Sequence, residues 1–238
     1  MTLKIKNTLK SIALAGLTLL PSQSKAYEFE DIPDLHAQTS YVSGLISPMG
    51  LAVKESCRQD YLSLRSNNFT FGVWQNQFLG EKGVAERDFI GSYSFPLAKN
   101  LSGSVGFQYW DYPNGRFGNF NAVETAGIDY TGKVDINIGY AHLNKNRVTK
   151  NGDRLVLKIS KPFKLLDDKT KVTITPSIAT SFVNDYLGHS GVSQATAGIN
   201  LGISRGRFSL NAFANMQKSL DENIENLVWY GVGVGCDL

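Results

Sequence analysis

The chain is poor in the residues that most often carry chemistry: its 238 residues include only two cysteines and three histidines. His36, His142 and His189 are scattered and Cys57 and Cys236 are far apart in sequence, so no metal-ligand spacing is present. Hydrolysis through a nucleophile would need a serine or a metal beside an oriented histidine. His36 falls in the N-terminal segment, His189 adjoins Ser190 in a long loop, and His142 is followed two residues on by Asn144 rather than a serine. No catalytic residue, cofactor or metal is therefore expected, and the chain reads as something other than an enzyme. Also missing after residue 26 is any apolar run near the roughly 20 residues that a membrane-spanning helix needs. A role within a membrane would have to use strands.

Positive charge is scarce once the N-terminus is set aside. Of the 24 lysines and arginines, Lys4, Lys6, Lys10 and Lys25 precede residue 27 in a stretch without acids, so the formal +3 of the chain turns slightly negative beyond it. That basicity gives no reason to expect a nucleic acid partner. Together with the apolar run from Ile12 to Leu20, Pro21 and the exit Ser24-Lys25-Ala26, it predicts a cleaved signal peptide over residues 1–26, with Tyr27 as the mature N-terminus. Residues 27–37 are expected to be a periplasmic lead-in and residues 38–238 a single domain.

What that domain has in abundance is alternation with a period of two, the mark of a strand whose side chains point to opposite faces. Phe69, Phe71 and Val73 oppose Thr70, Gly72, Trp74 and Asn76; Val105, Phe107 and Tyr109 oppose Ser104, Gly106 and Gln108; Val134, Ile136, Ile138 and Tyr140 oppose Asp135, Asn137 and Gly139. The pattern predicts strands near 38–47, 56–65, 68–76, 86–95, 101–110, 121–131, 134–142, 154–160, 172–182, 195–201, 208–215 and 227–238. The first, second and sixth alternate less cleanly. Short turns are expected at Ser66-Asn67, Pro96 to Asn100, Thr131-Gly132, Leu165 to Lys169 and Arg205-Gly206, and long polar loops near 48–55, 77–85, 112–120, 144–152, 183–191 and 218–226. Strict alternation of short and long connections is what an up-and-down membrane barrel produces. The expected fold is all-β: a single antiparallel up-and-down transmembrane β-barrel of about 12 strands, or ten if the first two pair loosely, with both termini periplasmic.

A secreted sandwich or lipocalin-like barrel would alternate as well. Three features favour the membrane: one face too small and polar to make a core, aromatic residues towards segment ends (Tyr93, Phe95, Tyr109, Tyr130, Tyr140), and a Gly-rich final strand with alternating valines. The stretch from Phe69 to Tyr140 resembles the TorF-type family of small porins. The resemblance rests on Gly72-Val73-Trp74 with Asn76, Glu86-Arg87-Asp88 with Gly91 and Tyr93, Tyr109-Trp110-Asp111-Tyr112-Pro113, Glu124 with Gly127 and Tyr130, and Gly139-Tyr140. After Ser40-Tyr41-Val42, where that family has an aromatic residue and an arginine, this chain has Ser43-Gly44. The resemblance implies passage of small solutes across the outer membrane.

Turning the polar face inwards makes Trp74, Asn76, Glu86, Asp88, Gln108, Trp110, Asp129, Asp135, Arg154, Lys158, Lys171, Asn200 and Asn211 candidate lumen residues. The acids among them would form one wall and the bases another, orienting dipolar solutes, or neighbouring charges would pair to hold the interior together. Twelve strands lie between a filled eight-stranded barrel and an open sixteen-stranded one, so a narrow or plugged pore is expected. Cys57 and Cys236 fall at opposite ends of their strands and are expected to stay unpaired. The function read from all this is an outer-membrane porin-like channel for passive diffusion of small hydrophilic solutes. The alternative is a non-conducting barrel acting as a structural protein, adhesin or surface receptor through its long loops. Its expected partners are outer-membrane lipids, small hydrophilic solutes or ions and, during biogenesis, the barrel-assembly machinery.

Overall fold

The computed structural model describes residues 34–46, 52–53, 55–81, 83–113, 120–146, 150–167, 169–186, 189–220 and 226–238. The expected signal peptide and the lead-in up to residue 33 lie outside them. In chain order the strands are β1 (Asp34–Val42), β2 (Leu45–Ile46), β3 (Ala52–Val53), β4 (Cys57–Ser66), β5 (Phe69–Phe78), β6 (Glu86–Ala98), β7 (Leu101–Asp111) and β8 (Phe120–Tyr130). There follow β9 (Asp135–Leu143), β10 (Gly152–Ser160), β11 (Phe163–Asp167), β12 (Thr170–Tyr186), β13 (His189–Arg205), β14 (Phe208–Ser219) and β15 (Leu227–Asp237). β2 and β3 pair only with each other. Among the rest each strand pairs antiparallel with its neighbours in sequence, except that β10 and β11 do not pair with each other but both pair with β12, and β1 joins β4 and β15. The ring closes as a 12-strand barrel in which β11 continues the line of β10 along β12.

Residue polarity decides which face is which. Among the described residues only nine hydrophobic side chains are buried while 32 large ones are exposed, so the barrel is apolar outside. Phe71 is 55% exposed, Ile178 60% and Val228 66%. A continuous apolar belt of this kind far exceeds the few hundred Å² that soluble monomers tolerate, and hydrocarbon is its natural solvent. Aromatic rings concentrate on β5 and β6, where Phe69 lies 4.7 Å from Tyr93 and Tyr93 lies 6.2 Å from Phe95, centroid to centroid. Across β6 and β7 the Phe107 ring covers Gly91 so closely that a Cβ there would sit 2.5 Å from it. No described helix is long and apolar enough to cross a membrane.

Several expected boundaries move. β1 starts at Asp34, whose partner is Arg65, so residues 34–37 belong to the barrel rather than to the lead-in. Residues 165–167, expected in a turn, lie in β11. The interruption between β10 and β11 falls beside Pro176: its carbonyl accepts from Lys161 N–H at 3.1 Å, and the N–H it lacks would point the same way, so the ladder cannot run through. The loop expected over 183–191 is mostly strand, because β12 and β13 are each 17 residues long and continue to Tyr186 and from His189. Register shifts between Ser181 and Phe182 and between Val183 and Tyr186, with Asp185 at φ 50° and Gly191 at φ 108°, break the parity that the sequence pattern relies on.

Candidate functional site

The inward face is built by parity from small and polar residues, and it is not uniform along the barrel axis. Towards the short turns it carries Ser92, Ser104, Gly127, Ser177, Asn200, Gly202, Asn211 and Gly233. Towards the opposite end bulky side chains converge. Val42, Cys57, Phe78, Ala85 and Trp229 form one buried cluster, with Trp74, Phe213 and Leu227 against it. Trp110, Tyr112, Val123 and Leu143 form a second, with Ala141 and Val183. Side-chain size therefore changes along the axis, from small polar residues towards the short turns to bulky buried ones at the other end.

The predicted lumen residues divide accordingly. Trp74 and Trp110 stand across from Asp88, one from β5 and one from β7, and Asn76 stands across from Glu86. Asn76, Glu86, Asp88 and Trp110 are buried. Trp110 Nε1–H donates to Gln108 Oε1 at 2.8 Å, which fixes the indole across the constriction. Tyr112 lies beside Glu86 and Asn121, and burial, reinforced by the charges of Glu86 and Asp88, pushes its hydroxyl above the usual tyrosine range, so it stays protonated. Asp129 accepts from Asn137 Nδ2 at 2.6 Å, and Lys158 lies across from the same Asn137. Arg154 Nη2 donates to Ser181 Oγ at 3.1 Å, Lys171 lies across from Ser204, Asn200 between Thr175 and Phe213, and Asn211 between Gly202 and Gly233. Asp135 serves the β8–β9 turn, where its carboxylate accepts from Gly132 N–H at 3.1 Å. It lies across from Ser160, at the far end of β10 from Arg154.

Two polar groups on the outward face escaped the sequence reading. Asp60 accepts from Thr39 Oγ1 at 2.7 Å, Gln75 Nε2 at 3.1 Å and the Arg58 guanidinium at 3.0 Å. Asp153 accepts from Tyr140 Oη at 2.6 Å and Asn184 Nδ2 at 3.4 Å, with His142 Nδ1 at 2.8 Å. His142 is thus oriented by a carboxylate, with Glu124 across from it on β8. The signal for both groups was present as charge at outward parity. Both cysteines are free: Cys57 is buried beside Val42 on the inward face, and Cys236 lies across from Phe208 on the outward face.

No family model matches the chain, and no curated protein does. Solved structures do. The NanC porin aligns over 86% of this chain and 100% of its own with 12% identity and a TM-score of 0.57. The KdgM porin aligns over 86% and 99% with 14% identity and a TM-score of 0.57. LpxR from Salmonella typhimurium aligns over 86% and 100% with 8% identity and a TM-score of 0.55. At these identities the likeness is one of fold.

Proposed function

We propose that this protein is a narrow porin-like channel of the bacterial outer membrane, through which small hydrophilic solutes diffuse passively. The observation that carries the reading is a closed barrel whose outside is an apolar belt while its inward face towards the short turns carries serine, asparagine and glycine. A solute crossing that part exchanges water for hydroxyl and amide partners. The constriction at Trp110, Leu143, Phe78 and Trp229 sets the size limit, and Lys158 and Arg154 on β10 lie four strands round the ring from Glu86 and Asp88 on β6. Dipolar solutes are oriented between them. The fold shared with the NanC and KdgM porins supports this reading, as does the resemblance of residues 69–140 to TorF-type porins, the family to which we assign the chain. We read the protein as non-enzymatic, exported by its N-terminal signal and inserted by the barrel-assembly machinery. Proteoliposome swelling with sugars and amino acids of increasing size tests the channel. Swelling should be rapid for the smallest solutes and fall off sharply with size; folded barrels that pass none would refute it.

A further inference from the structure

We propose that Asn76, Glu86 and Asp88 form an oxygen-donor site for a hard divalent cation in the wall of the constriction. Glu86 and Asp88 alternate onto the same inward face of β6, so their Cα atoms are about 6.7 Å apart along the strand. Asn76 faces Glu86 directly across the β5–β6 ladder, at a cross-strand spacing of about 5 Å. All three are removed from solvent: Asn76 is 0% exposed, Asp88 1% and Glu86 4%. Tyr112 lies beside Glu86, and Glu86 Oε1, Asp88 Oδ1 and both amide atoms of Asn76 have no hydrogen-bond partner.

Two neighbouring buried carboxylates without a basic partner, Asp88 between Trp74 and Trp110 and Glu86 across from Asn76, are costly as bare anions. A wholly buried asparagine with an unsatisfied amide contributes nothing to packing that a leucine would not. One cation that takes the free oxygens, one from each side chain, balances both carboxylates and satisfies the Asn76 amide oxygen, while the Asn76 Nδ2–H group needs an acceptor of its own. The donors are carboxylate and amide oxygens, the set preferred by Ca²⁺, which completes its shell with backbone oxygens or water. None of the three donors is an imidazole or a thiolate, so the set does not suit a softer transition metal. The site does not depend on whether the barrel conducts.

Terbium is a direct probe, because Trp74 and Trp110 flank Asp88 and would sensitise an ion bound there. The full chain, refolded in detergent and stripped with chelator, should show saturable tryptophan-sensitised Tb³⁺ emission that Ca²⁺ competes away. The double variant Glu86→Gln, Asp88→Asn removes the charge without changing shape and should lose affinity at least tenfold, and Asn76→Leu should weaken binding more modestly. Calcium should also raise the unfolding midpoint of the native protein and leave that of the double variant unmoved. Absent emission from a folded barrel, or emission that survives in the double variant, would overturn the proposal. So would a double variant that is more stable than the native protein in the presence of saturating Ca²⁺, since the carboxyl groups would then be sharing a proton.

Discussion

Ile199 and Asn200 are adjacent on β13 and face opposite ways: Ile199 pairs with Pro176 and Ala214 on the outward face, Asn200 with Thr175 and Phe213 on the inward one. Both sit midway along a strand that runs from His189 to Arg205, and Ile199 is 50% exposed. Replacing Ile199 with arginine places a guanidinium near the bilayer midplane, where the cost is about 2–4 kcal/mol. At about 1.36 kcal/mol per tenfold change, the folding equilibrium should fall roughly 30- to 900-fold. Asn200→Arg points the same group into a wet lumen and should change stability by no more than about 0.5 kcal/mol. Equilibrium unfolding in guanidinium chloride, followed by tryptophan fluorescence of barrels in phospholipid vesicles, measures both. Equal losses, or a larger loss for Asn200→Arg, would mean that the faces are assigned the wrong way round.

Other consequences follow from local geometry. A Cβ at Gly106 would lie 2.5 Å from the Gly91 carbonyl oxygen, which is backbone and cannot yield, so Gly106→Ala should destabilise by about 1–3 kcal/mol. At Gly139 the nearest atom is 3.8 Å away, and Gly139→Ala should be neutral or stabilising by about 0.5 kcal/mol; the same unfolding assay ranks the two. Intact mass and non-reducing gels should show two thiols, with maleimide reaching Cys236 well before Cys57, which is fully buried; a Cys57–Cys236 disulfide would break the topology.

How legible each strand was depended on what stood at its outward positions. β5, β9 and β15 could be read because Phe69, Phe71 and Val73, then Val134, Ile136 and Ile138, then Val228, Tyr230, Val232 and Val234 keep one face apolar. β1, β4 and β8 were blurred by Thr39, Asp60 and Glu124 at outward parity. Asp60 is tolerable there because Thr39, Arg58 and Gln75 satisfy it, and those partners come from neighbouring strands and from its own only once register is fixed. The β12–β13 hairpin was hidden by bulges that shift parity by one residue. Along β5, β6 and β7, parity puts Asn76, Glu86, Asp88 and Trp110 on one face, but their burial depends on clusters assembled from strands far apart in sequence, such as Val42, Cys57, Phe78 and Trp229. Local signs of those clusters were apolar residues interrupting the polar side of their strands, Val42 and Phe78 in one and Val123 and Leu143 in the other.

The central claim is that a polar lumen passes through this barrel and is limited by the side chains at its constricted end. Single-channel recording in planar bilayers, comparing the native protein with Trp110→Ala, tests it most directly. Stepwise openings that become larger in the variant are predicted. Folded, heat-modifiable barrels that remain silent in both forms would contradict it.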